Sequence, residues 1–276
     1  MENTDCQKNQ YGHPCFDSDA QCATGRIHLP VAPRCNIKCK YCSRKHDCAN
    51  ENRPGVTTKI INPEEALENV RMAVLLEPRI RVVGIAGPGD TLANPATFKT
   101  LELVRTGFPR MSLCLSTNGL LLPEYIKELI ALDLDSLTVT VNAINETVGA
   151  QIYSFVHFHN YVLRGAEAAA CLRDNQLEGI RQAAAAGIRV KVNSVLIPGI
   201  NEAEMVPLAK TLKQLNVSVM NIMPLIPQAD FAHLQPVPED LHREIREQCA
   251  PFMNQISHCR HCRADACGLL EEAVKF

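Results

Sequence analysis

Short β-rich runs alternating with longer helical stretches recur along this chain, and that rhythm narrows the architectures open to it. The runs lie at 26–32, 81–86, 111–117, 135–141, 188–195 and 217–223. Segments of helical character lie near 63–76, 95–106, 123–131, 176–186 and 202–215. Pro63 suits a first helical position, and Ala66, Val70 and Ala73 follow at helical spacing, with Leu67 and Val74 beside them. Alternating β and α units with short connections build a parallel sheet, either doubly wound or curled towards a barrel.

The faces of the runs favour the barrel. Ile27, Leu29 and Val31 share one face, and His28, Pro30 and Ala32 the other. Met111, Leu113 and Leu115 oppose Ser112, Cys114 and Ser116; Leu137, Val139 and Val141 oppose Ser136, Thr138 and Thr140; Val190 and Val192 oppose Arg189, Lys191 and Asn193. A central strand of a doubly wound sheet is apolar on both faces. Here one face suits covering helices and the other suits a lumen that holds something. The expectation is an α/β fold, a partial (β/α)6 TIM-like barrel, with His28 and Cys114 facing inward. Three regions follow: an N-terminal extension over 1–25, the barrel over 26–250, and a cysteine-bearing C-terminal tail over 251–276.

Thirteen cysteines among 276 residues need a chemical reason. Disulfide scaffolds are short and loop-rich, and an odd count pairs poorly. The sequence shows no signal peptide and no apolar run of membrane-spanning length, so a cytoplasmic protein is expected. Thiols in a reducing compartment point to metal or redox chemistry. A net charge of −2 gives no footprint for nucleic acid or an anionic membrane, and neither is expected as a partner.

The strongest motif is Cys35-Asn36-Ile37-Lys38-Cys39-Lys40-Tyr41-Cys42, in a loop after the first run. Three thiolates at this C-x3-C-x2-C spacing can hold three irons of a [4Fe-4S] cluster and leave the fourth open. An open iron can chelate the amino and carboxylate groups of S-adenosyl-L-methionine (SAM). A zinc site is the bland alternative, although zinc usually takes a second cysteine pair. The spacing, with an aromatic before the last cysteine, is the signature of the radical SAM superfamily, and the downstream turns also resemble that superfamily. Ala86-Gly87-Pro88-Gly89-Asp90, Ser116-Thr117-Asn118-Gly119 and Asn142 come after the second, third and fourth runs, where barrel enzymes place their sites. By that resemblance the fold is the radical SAM partial barrel. Cys35, Cys39 and Cys42 become the catalytic cluster ligands, and Tyr41, Gly87, Gly89, Asp90, Thr117 and Asn142 the SAM-site residues.

A narrower resemblance, over about residues 13–268, is to the NifB family. It is carried by His13-Pro14-Cys15-Phe16, by the run from His28 through Cys35 and on from Ser43 to Thr57, and by Cys259-Arg260-His261-Cys262-Arg263-Ala264-Asp265-Ala266. The resemblance implies an enzyme that fuses two further [4Fe-4S] substrate clusters, K1 and K2, around a SAM-derived carbide, with an added sulfur. The product would be the [8Fe-9S-C] precursor of the nitrogenase cofactor, made by lyase-type SAM cleavage and methyl transfer. It also implies that K1 takes His28, Cys48 and Cys114, and that K2 takes Cys15, Cys259 and Cys262. A reduced flavodoxin or ferredoxin would supply electrons. With no NifX-like domain after residue 276, a carrier or scaffold protein of nitrogenase assembly would receive the product. Cys22 and Cys267 lie close to these ligands, and Cys267 is a competing K2 ligand. From the residues alone, His28 equally reads as a satisfied core histidine and Cys114 as a small core residue, as Cys171 and Cys249 do. Two rival functions stay open: a radical SAM maturase whose auxiliary clusters only transfer electrons, and a metal carrier without catalysis.

Overall fold

The computed structural model describes residues 12–20, 22–43, 57, 59–256, 259 and 263–270. Six parallel strands form its main sheet: β1 (Gly25–His28), β3 (Ile80–Ile85), β4 (Ser112–Thr117), β5 (Ser136–Thr140), β8 (Arg189–Leu196) and β9 (Val219–Pro224). They lie side by side in chain order, with the short β10 (Cys267–Gly268) antiparallel on the β1 edge. A doubly wound sheet reverses its order at a switch point. This one never does, and its helices longer than seven residues all contribute to one core against the apolar faces of the strands, which leaves the other face as a lumen. The fold is the curled half-barrel expected from the strand faces.

The helices are α1 (Pro63–Leu76), α2 (Pro95–Gly107), α3 (Leu122–Ala131), α5 (Gly165–Ala185), α6 (Met205–Gln214) and α7 (Glu239–Cys249), with the seven-residue α4 (Glu146–Ile152). Their start signals are local. Asn62 accepts from the Glu65 amide at 2.8 Å, and Glu65 accepts from the Asn62 amide at 3.1 Å, a reciprocal cap with Pro63 in the first turn. Ala66, Val70 and Ala73 then pack in one core with Val83, Leu113, Leu137, Val190 and their strand neighbours. Cys249 is a fully buried member of that core. Cys171 is half-buried against a second core that backs the cysteine loop. Among the described residues no helix is long and apolar enough to cross a membrane.

Several elements differ from the sequence expectation, among them α7, for which the sequence reading gave no helix. The first run ends as a strand at His28, because Pro30 has no amide for the ladder. The cysteine loop carries a strand, β2 (Ile37–Cys39), paired antiparallel with β6 (Tyr153–Phe158), which forms a hairpin with β7 (Tyr161–Leu163). That hairpin and α4 are inserted after β5, and both are too short to show a period. The helix expected at 176–186 begins at Gly165.

Candidate active site: a thiol-lined cavity above a polar lumen

Cys35, Cys39 and Cys42 line one cavity of about 330 Å³ at the C-terminal ends of the strands. The loop that carries them is braced from three sides. β2 ties it to the hairpin. Asn94 donates to the Arg34 carbonyl at 2.8 Å and accepts from the Arg34 amide at 3.1 Å. The turn after β3 crosses so closely that a Cβ on Gly89 would lie 2.3 Å from the Arg34 carbonyl oxygen and 2.9 Å from that of Ala32. No side chain fits there, and the closeness lets the Gly89 amide donate to Ala32 at 2.6 Å and the Asp90 amide to Arg34 at 2.9 Å.

Each expected SAM-site residue has a distinct place. Tyr41, Gly89 and Asp90 line the cavity, while Gly87, Thr117 and Asn142 stand behind the lining. The Asp90 carboxylate accepts from the Thr117 hydroxyl at 2.8 Å and from the Asn118 amide at 2.6 Å, so it joins the β3 turn to the end of β4. Burial raises its pKa against the pull of those bonds. Asn142 donates to the Tyr41 hydroxyl at 2.7 Å and the Tyr153 hydroxyl at 3.2 Å, and accepts from the Val195 amide at 2.8 Å. It fixes two aromatic walls from behind.

Several site residues escaped the sequence reading. Tyr153 and Thr140 line the cavity. Asn118 donates to the Asn36 side-chain oxygen Oδ1 at 2.7 Å and approaches the Cys35 sulfur at 3.9 Å. Gln176, from α5, donates to the carbonyls of Asn118 and Thr140 at 2.7 and 2.8 Å. Asn118 could have been found, since it sits in the Ser-Thr-Asn-Gly turn. Gln176 and Tyr153 carry no local signal.

The donor set fits an iron–sulfur cluster. Burial, then the Asp90 charge, pushes the Cys35 thiol up to about 12. Burial, then Cys42 and Cys35, pushes Cys39 well above its ordinary range. Such thiols ionise readily only when a metal takes the charge. The Asn36 side-chain nitrogen, buried beside them, has no hydrogen-bond partner among the described residues.

Deeper in the lumen, His28, Gly84 and Cys114 occupy one row across β1, β3 and β4. Gly84 makes room: a Cβ there would lie 2.8 Å from His28 Cδ2, 3.3 Å from His28 Nε2 and 3.9 Å from the Cys114 Cβ. His28 Nδ1 lies 2.9 Å from the Arg263 carbonyl oxygen, which only accepts. The proton therefore sits on Nδ1 and the lone pair on Nε2, the arrangement that histidine ligands use. Burial, then Arg26, lowers the His28 pKa to about 4, which keeps the ring neutral.

The termini close the lumen from below. Cys15 and Cys259 both pack beside Phe16, Val219 and Ile256. Burial pushes the Cys15 thiol up to about 11, with Lys191, Cys114, Arg26 and Cys259 in electrostatic range. Asp17 clamps this segment to β8 through two 2.9 Å bonds from Arg189. Among the described residues, no three His, Cys, Asp or Glu side chains converge as they would around a single metal ion. Cys48 and Cys262 lie outside the described residues. Cys22 is exposed. Cys267 pairs with Ile27 and is buried in the helix-side core, on the sheet face opposite His28.

Residues 29–212 match the radical SAM superfamily. The chain is 46% identical over 264 residues to the FeMo cofactor biosynthesis protein NifB of Methanocaldococcus jannaschii, covering 94% of this chain and 87% of that protein. It is 45% identical to the NifB of Klebsiella pneumoniae and 42% identical to that of Chlorobaculum tepidum, covering 94% and 96% of this chain. It spans only 57% and 63% of those two longer proteins. In fold it is similar to Streptococcus suis SuiB bound to S-adenosylmethionine, with a TM-score of 0.60 at 13% identity over 85% of this chain and 50% of that one. It is also similar to a radical SAM methyltransferase from Sphaerobacter thermophilus, with a TM-score of 0.57 at 17% identity over 84% of this chain and 64% of that one.

Proposed function

This chain belongs to the radical SAM superfamily and, within it, to the NifB family of FeMo cofactor biosynthesis proteins, and from that premise we propose that it builds the [8Fe-9S-C] precursor of the nitrogenase cofactor. Its substrates are two [4Fe-4S] clusters, K1 and K2, one further sulfur and two SAM molecules, the first giving the methyl carbon that becomes the carbide and the second the radical that takes hydrogen from that carbon. Cys35, Cys39 and Cys42 would hold a [4Fe-4S] cluster, which would supply the electron for splitting the second SAM into methionine and a 5′-deoxyadenosyl radical.

The protein's own groups do the remaining work. Cys35, Cys39 and Cys42, as three thiolates, would hold that cluster with a site left for SAM. Tyr41 and Tyr153, held by Asn142, wall the cavity, and Asp90 keeps the β3 and β4 turns at a fixed separation. His28 and Cys114, with Cys48, hold K1; Cys15 and Cys259, with Cys262, hold K2. Incomplete ligand sets suit substrates that must leave. The half-barrel keeps water from the radical. Electrons come from a flavodoxin or ferredoxin, and the product passes to a carrier or scaffold protein.

One observation carries this reading: a single sheet face presents the thiol-lined cavity at its top and an imidazole–thiol pair, separated by a glycine, below it. The test is iron counting on anaerobically reconstituted protein, with 5′-deoxyadenosine measured after SAM and dithionite. Wild type is expected to hold about twelve irons, as three cubanes. Cys39→Ala should lose about four irons and all 5′-deoxyadenosine, whereas His28→Ala should lose lumen iron only. Normal 5′-deoxyadenosine from Cys39→Ala would remove the cofactor assignment. Full lumen iron that never fuses would favour an enzyme whose auxiliary clusters only transfer electrons.

A further inference from the structure

Of the run His13-Pro14-Cys15-Phe16, only Cys15 has a part in the chemistry proposed so far. His13 is 7% exposed, and the segment around it is fixed. Its carbonyl accepts from the Phe16 and Asp17 amides, each at 2.9 Å. Its amide donates to the Asp17 carboxylate at 2.8 Å, and Asp17 is clamped to β8 through Arg189. The imidazole stands edge-on to the Phe16 ring, with centroids 5.0 Å apart and planes at 83°. Turn, clamp and ring contact together hold it in place.

The two ring nitrogens have different duties. The Cys15 amide lies 3.0 Å from Nδ1 and donates to it. A ring nitrogen that accepts carries no proton, so the proton of this neutral ring sits on Nε2. Nε2 is buried and has no hydrogen-bond partner among the described residues. His28 on β1 and Lys191 on β8 are both in electrostatic range, so the ring stands over the lumen between the two sides of the sheet. His28 is the reverse case, since its Nδ1 donates and its Nε2 offers a lone pair. One lumen histidine is set to ligate iron and the other to donate a hydrogen bond.

A buried N–H without an acceptor is unfavourable unless a guest supplies one. Phe16, Val219 and Ile256, which pack beside Cys15 and Cys259, have no side-chain acceptor to offer. A cubane at Cys15 has several, in its inorganic sulfides and ligand thiolates. Hydrogen bonds to the sulfurs help to set a cluster's reduction potential, and a donor that draws off negative charge raises it.

We infer that His13 is a binding residue for the second substrate cluster: its Nε2–H donates to a sulfur of the cluster held by Cys15 and Cys259. The inference rests on the substrate reading of the proposed function, and it adds a contact that is not a metal ligand.

The test is anaerobic titration of the full chain with iron and sulfide, read by iron count and by the EPR signal and reduction potential of each lumen cluster. Two variants divide the duties of the ring. Asparagine puts an acceptor near the position of Nδ1 and nothing at Nε2. Glutamine reaches the position of Nε2 with an N–H donor and lacks the nearer acceptor. His13→Asn should therefore raise the iron concentration that half-fills the cluster at Cys15 by about tenfold and lower its potential, while His13→Gln stays near wild type in both. A histidine needed only to hold the Cys15 amide predicts the opposite order. That order, or wild-type loading and potential in both variants, would overturn the inference. Should both variants fail to fold or to load, wild type carrying histidine labelled with the heavy nitrogen isotope decides. Pulsed EPR should then show one strong nitrogen coupling, from His28, and one weak coupling through the hydrogen bond. The strong coupling alone would remove the donor, and two strong couplings would make His13 a ligand instead. Cys15→Ala, run alongside, separates the two failures. If it loses that cluster while His13→Asn does not, only the donor falls; if it too loads fully, the cluster site itself is misassigned.

Discussion

Replacing Gly84 with alanine tests whether His28 and Cys114 form one site. The added methyl would lie 2.8 Å from His28 Cδ2 and 3.3 Å from Nε2. Carbon atoms in contact need about 3.5–4.0 Å, so the imidazole must retreat by about 0.7–1.2 Å. It has little room, because Nδ1 is tied to the Arg263 carbonyl at 2.9 Å. A shift of that size breaks the bond, at about 0.5–1.5 kcal/mol, within an overpacking cost of about 1–3 kcal/mol. We expect a loss of about 2 kcal/mol, seen as a fall of about 4–8 °C in the melting temperature of the apo protein. The functional effect should be larger. Turning a ligand's ring away usually costs about 10–100-fold in metal affinity. Anaerobic titration should show that loss in the lumen cluster alone, with the iron held by Cys35, Cys39 and Cys42 retained. A Gly84→Ala protein with wild-type melting and wild-type lumen loading would refute the argument that the glycine exists to seat His28 against Cys114.

Two further substitutions probe the supports. Asn118→Ala removes the 2.7 Å bond to Asn36 and the 2.9 Å bond from the Leu120 amide. It should cost about 1–3 kcal/mol in urea unfolding and speed the bleaching of the reconstituted cluster by a chelator. Asp17→Asn loosens the clamp that carries Cys15. Hydrogen bonding from Arg189 leads in holding the Asp17 carboxyl below the usual carboxylate range. Its contribution is therefore present above about pH 4 and lost as pH falls through the depressed pKa. Both partners are more than a third exposed, so about 0.5 kcal/mol is expected. The difference in stability between wild type and Asp17→Asn should shrink towards zero in acid, and amide exchange near residues 13–17 should quicken.

Much of this architecture is legible because it is written locally. Pro63, Ala66, Val70 and Ala73 mark α1 by themselves, and the strands β4, β5 and β8 show their two faces by alternation. That alternation alone places His28 and Cys114 in the lumen. What escaped is non-local. Asn142 acts through two tyrosines, one of them on a hairpin whose strands are six and three residues long. Gln176 reaches two carbonyls from a helix that the sequence reading begins eleven residues too late, because the small residues Gly165, Ala166 and Ala168–Ala170 blur the helical period. Cys267 resembles a ligand by spacing, yet its pairing with Ile27 turns it towards the helices. Spacing along a chain cannot distinguish the two faces of a strand whose partner lies 240 residues away.

The vertical arrangement on the sheet gives the fold its fitness for this chemistry. Ser136 shares a row with Cys114, and Thr140, four residues on, lines the upper cavity. At about 3.3 Å per residue the two levels are roughly 13 Å apart along the strand. A radical survives only if its target is already in contact, so separation along one rigid strand is safer than approach by a moving loop. A doubly wound sheet has helices against both faces and offers no such column. A polar inner face is costly to bury, and here it borders the space through which the two sites meet.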